Sequence, residues 1–131
     1  MALNKAYSQY AQNTVFTASP EELTFMLYNG LVKFIMQAQK AIEEKNIQKS
    51  HSSIIRAQDI ITEFKITLNK KYDISKSLLM LYDYMNERLI EANAKKDAAI
   101  LEEVLYFAKE LRDTWASAMK IAKSKPDSGE R

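Results

Sequence analysis

The 131-residue sequence has no cysteine, two prolines, two glycines and a single histidine. Without cysteine there is no disulfide framework, thiol nucleophile, iron–sulfur cluster or thiolate zinc site, a composition compatible with a reducing cytosol. One histidine, His51, leaves no multi-histidine metal centre. Two isolated glycines, Gly30 and Gly129, cannot build a glycine-rich phosphate cradle, so no cofactor and no metal are expected. From Glu21 to Lys125 no proline occurs and Gly30 is the only glycine. Sheets need turn residues every few positions, and this chain does not supply them, so the expected class is all-α. The opening residues MALNKAYSQYAQN lack an apolar h-region, and no signal peptide is expected. No run approaches the roughly 18 apolar residues that cross a bilayer. A formal net charge of +2 is too small to point to nucleic acid.

What is present is enough apolar material for one core: 47% hydrophobic residues beside 27% charged. In TASPEEL, Ser19 suits an N-cap, Pro20 the first helical position and Glu22 the third, a capping box that starts a helix running to about Glu44. Lys45-Asn46 breaks it. A second helix is expected from Ser50 to Asn69, a third from a Ser75 cap to about Asn93, and a fourth from an Asp97 cap to about Lys123. Short connections favour antiparallel neighbours, giving an up-down four-helix bundle over residues 19–123. A cap segment (1–18) precedes it, and a polar tail with Pro126 and Gly129 (124–131) is expected to be disordered.

Helical periodicity assigns most apolar residues to the core. Ile54, Ala57, Ile61, Phe64 and Leu68 line up on the second helix; Leu78, Leu81, Tyr82, Met85, Leu89 and Ala92 on the third; Val104, Ala108, Leu111, Trp115, Ala118 and Ala122 on the fourth. The first helix is apolar over roughly 220° at 100° per residue, which suggests a central, deeply buried position. A second set lies off the main stripes: Ile55 and Ile66 with Gln58 and Thr62, and Leu79 and Ile90 with Asn86. If these faces adjoin, they form a groove with an aliphatic floor and amide and hydroxyl rims, suited to an amphipathic helix from another chain. Scattered surface apolar residues are the alternative. Leu3, Tyr7 and Tyr10 share a face of a short N-terminal helix, expected to fold back over surplus apolar surface as a cap.

No catalytic constellation emerges. A carboxylate-bridged di-metal bundle needs Glu-x-x-His motifs, and Gln48 stands three residues before His51. Ser50-His51-Ser52-Ser53 lies at a helix start, where serines cap, with no orienting acid nearby. The chain is therefore read as a non-enzyme.

The combination of TASPEELTFMLYNGLVKFI, IIRAQDIITEF, LYDYMNERLIEAN, the D-x-x-x-L-E-E-V run from Asp97 and ELRDTW resembles the flagellar export chaperone family FliS over about residues 7 to 115. Tyr7 and Tyr10 also match that family's N-terminal pattern, whereas many members carry Asp where Asn29 stands and glycines where KKYDIS lies. The resemblance implies a small cytoplasmic bundle that binds the disordered C-terminal region of flagellin. It further implies that binding prevents premature polymerisation and that the client is delivered to the type III export gate protein FlhA, with FliW as a further partner. Ile55, Gln58, Thr62, Ile66, Leu79, Asn86 and Ile90, chosen from helical geometry, are the expected client contacts. An obligate homodimer that hides the same apolar surface is the competing reading.

Overall fold

The computed structural model describes residues 18–124, so the cap residues Leu3, Tyr7 and Tyr10 and the tail from residue 125 lie outside the described part. Four helices follow one another: α1 (Pro20–Glu43), α2 (Ile47–Thr67), α3 (Ile74–Lys95) and α4 (Ala98–Ser124). Ser19 caps α1 as the sequence suggests, accepting the Glu22 N–H at 3.2 Å with Pro20 opening the helix. Asp97 likewise starts α4, its carboxylate accepting the Ala99 N–H at 2.9 Å.

Two other starts differ from the sequence reading. α2 begins three residues before Ser50, because Asn46 caps it by accepting the Lys49 N–H at 3.1 Å. Ser50 is instead buried one turn in, its hydroxyl donating to the Ile47 carbonyl at 2.8 Å. α3 begins before Ser75, at Ile74 after Asp73, which makes no side-chain cap bond, while Ser75 is buried inside the first turn. In both places a small hydroxyl lets the helix start pack against its neighbours. A seryl oxygen can satisfy a backbone group from inside a helix as well as from its end.

The helices pack in a ring, α1 against α2 and α4, and α3 against α2 and α4. Successive neighbours run antiparallel. Gln39 Nε2 donates to Glu102 at 2.7 Å, and the Trp115 indole N–H donates to the Glu21 carbonyl at 3.0 Å, pairing α1 with α4 end to end. α1 and α2 pack closely at Gly30, where an added Cβ would meet the Ile60 Cδ1 at 3.3 Å. The α1–α2 and α3–α4 turns each pass through a left-handed lysine, Lys45 (φ 58°) and Lys96 (φ 51°).

Leu31, Ile35, Ile54, Ile61, Met85, Leu89, Leu101 and Val104 are fully buried and draw on all four helices. α1 contributes Tyr28, Leu31, Val32, Ile35, Ala38 and Ala41, but Leu23 (38% exposed) and Met36 (50%) remain open. α1 therefore sits at a corner of the ring rather than at its centre, and its wide apolar arc overruns the surface its two neighbours offer. The α4 stripe is buried only as far as Ala108; Leu111 and Trp115 are half-buried, and Ala118 and Ala122 are exposed where α4 reaches the start of α1 and outlasts it.

The α1 and α3 helices are diagonal partners, yet they meet through a hydrogen bond of 3.1 Å between the buried hydroxyls of Tyr28 and Tyr82. Phe64 packs against both rings, at 4.4 and 5.6 Å between centroids, and Trp115 lies 6.4 Å from Tyr28. Burial raises the pKa of both phenols, and the shared hydrogen bond raises that of Tyr82 further. Each hydroxyl satisfies the other, so removing one strands its partner. Tyr28→Phe and Tyr82→Phe should each cost about 1–2 kcal/mol in urea unfolding, and the double variant less than their sum. A phenol whose pKa is raised by folding stabilises the protein while it stays protonated. Stability should therefore fall as pH climbs above about 10, and fall less steeply in the double variant.

Candidate functional site

The outward face shared by α2 and α3 is built from two helices in antiparallel register, tied by three polar rungs. At one end Asn93 Nδ2 is hydrogen-bonded to His51 Nδ1 at 2.8 Å, and Lys96 donates to Asn93 Oδ1. At mid-height Gln58 Nε2 donates to Asn86 Oδ1 at 3.1 Å. Further along, Lys65 and Asp83 form an ion pair. On α2 the rung residues 51, 58 and 65 recur every seven positions, about 10.5 Å apart along the helix.

Apolar residues stand beside and between these rungs. Ile55 is 39% exposed and Ile90 52%; they line a shallow pit of about 430 Å³ with His51, Gln58, Asn93, Ala94 and Lys96. Beyond the ion pair, Ile66 is 72% exposed on α2, and the antiparallel register sets half-buried Leu79 opposite it on α3. Thr62 is exposed between the two isoleucines of α2. The seven residues singled out from periodicity thus share one face. Its construction is inverted relative to the expectation of an aliphatic floor with polar rims. The amides and the ion pair bridge the helices, and the isoleucines line the edges. The cause is angular: Gln58 and Lys65 point directly at α3, while Ile55 and Ile66 sit farther round α2, nearly opposite its core stripe.

Four residues of this face, His51, Asn93, Lys65 and Asp83, are not among the contacts expected from periodicity. The heptad spacing of 51, 58 and 65 is the signal that marks the two on α2.

The neighbouring α3–α4 seam is held differently. Glu103 accepts from the Tyr84 hydroxyl and from Arg88 Nε, each at 2.7 Å, and Arg88 and Lys95 both pair with Glu91. The Tyr84 bond, then Arg88, holds the Glu103 carboxyl below the usual carboxylate range; Lys95 does the same for Glu91. This network lies at the surface and fixes the α3 face that flanks the rungs. Among the described residues no cluster of His, Asp and Glu could hold a metal ion, and no helix is long and apolar enough to cross a membrane.

Because the edge isoleucines are not part of the core, charges there should be tolerated. Ile66→Asp and Ile90→Asp should each shift urea unfolding by less than about 0.5 kcal/mol, whereas Ile54→Asp, one position from Ile55 but fully buried, should abolish cooperative unfolding.

The chain is similar in sequence to known proteins over nearly its whole length. It is 44% identical over 120 residues to the flagellar secretion chaperone FliS of Bacillus subtilis, covering 92% of this chain and 90% of that protein. It is 29% identical over 119 residues to FliS of Escherichia coli, with 88% of each chain covered. A solved structure described as a flagellar chaperone from bacteria superposes with a TM-score of 0.72 at 19% identity, over 88% of this chain and 96% of the other, and supports the helical fold alone. The model of the family described as flagellar protein FliS matches residues 3–122, and the chain belongs to that family.

Proposed function

We propose that the α2–α3 face is where this flagellar chaperone holds the disordered C-terminal region of flagellin, keeping it from polymerising in the cytosol until it reaches the type III export gate. One observation carries the reading: Ile55, Ile66 and Ile90 are exposed along a single face whose two helices are already locked together by their own polar side chains. The bundle does not need that surface to fold, and an amphipathic helix from a client covers it. Ordering a disordered tail is entropically costly, and burial of the isoleucine edges offsets that cost. The family is one of chaperones rather than enzymes, which agrees with a face built to bind and not to react.

The same reading assigns FlhA to the delivery step and FliW to the wider set of partners. It also assigns Leu3, Tyr7 and Tyr10 to an internal competitor for the face, present at high effective concentration when no client is bound.

Titration calorimetry with the C-terminal region of flagellin tests the assignment. The wild-type chain should bind it, and the Ile55→Asp/Ile66→Asp double variant should bind at least tenfold more weakly, a loss of about 1.4 kcal/mol, with unchanged helicity. Equal affinity in both would remove the face from client binding. A stable dimer by light scattering that ignores flagellin would favour self-association instead.

A further inference from the structure

The face assigned above to the client is not uniform. Ile55 and Ile90 form one apolar pad, and Ile66 and Leu79 a second. On each helix the two pads are eleven positions apart, about 16 Å at the helical rise. The part-buried Gln58–Asn86 amide pair lies between them, about one turn from the first pad and two turns from the second. Once Gln58 Nε2 has donated to Asn86 Oδ1, Gln58 Oε1 and Asn86 Nδ2 have no partner among the described residues. A helix laid across both pads must cover this spot. An apolar residue there would strip water from an acceptor and a donor and return nothing, whereas a short amide or hydroxyl side chain would satisfy them.

We infer that the Gln58–Asn86 pair sets the register of the docked helix, selecting a client with two apolar anchors eleven residues apart and an Asn, Gln, Ser or Thr one turn inside one of them. The pair is off-centre between the pads, so the same contact fixes which way the helix runs. Specificity of this kind comes from penalising wrong partners: a uniformly apolar helix offers more area and is still disfavoured. The inference rests on the α2–α3 face being the client surface, but it makes a separate demand on the client.

The test uses three synthetic amphipathic peptides with leucine anchors eleven positions apart. One carries Asn a turn inside the first anchor, one carries Asn a turn inside the last, and one carries Leu at both places. Fluorescence anisotropy with the wild-type chain should show one Asn peptide binding at least tenfold more tightly than the Leu peptide. Gln58→Leu/Asn86→Leu should reverse that order, and Gln58→Ala/Asn86→Ala, which introduces no new apolar bulk, should erase it if the leucine variant proves poorly folded by circular dichroism. A Leu peptide that binds the wild-type chain as tightly as the better Asn peptide, or a preference that survives both variants, would overturn the inference. Flagellin C-terminal region run in the same assay separates the two ideas. Flagellin binding without peptide discrimination sinks the register alone, and peptide discrimination without flagellin binding sinks the client assignment alone.

Discussion

A ring of four helices encloses one interior, and each helix can turn only a limited stripe of its circumference toward it. In this protein that interior is filled by Leu31, Ile35, Ile54, Ile61, Met85, Leu89, Leu101 and Val104, with no buried polar side-chain atom left unpaired among the described residues. Any apolar side chain placed elsewhere on the helices has to face outward. That constraint puts Ile55, Ile66 and Ile90 on the surface, and the proposed function rests on where they are put.

The two diagonal helices illustrate how the interior is made specific as well as apolar. A phenol from α1 and one from α3 meet inside it and bond to each other, with Phe64 of α2 packed on both. Aliphatic packing alone tolerates sliding by a turn, whereas two hydroxyls must coincide or remain unsatisfied. Fixing α1 against α3 in this way also fixes the depth at which α2 and α3 meet. The outer rungs His51–Asn93, Gln58–Asn86 and Lys65–Asp83 then fall opposite one another. Core and outer face share one register.

The class, the number of helices and most of the core were legible because they rest on periodicity and on turn chemistry that is absent. Ser19 and Asp97 were readable as caps because their neighbours leave them no other role. Ser50 and Ser75 were misleading for the opposite reason: both bury their side chains, and burial is decided by partners distant in sequence. The corner position of α1 was hidden as well, since an apolar arc does not say how many neighbours will cover it. On the candidate face, angles along each helix placed the seven residues on one side but did not say which pair would reach across. That depends on rotation of α2 against α3, so the order of floor and edge came out reversed. Leu3, Tyr7 and Tyr10 stand outside the described residues.

The central claim is that the outward isoleucines, and not the buried ones, meet the client. Methyl NMR of isoleucine-labelled protein titrated with the C-terminal region of flagellin measures this directly. The Ile55, Ile66 and Ile90 methyls should shift or broaden while Ile35, Ile54 and Ile61 hold their positions. Perturbations centred on Leu23 and Met36 of α1 or on Ile121 of α4 after added leucine and methionine labelling, with the α2–α3 isoleucines silent, would contradict it.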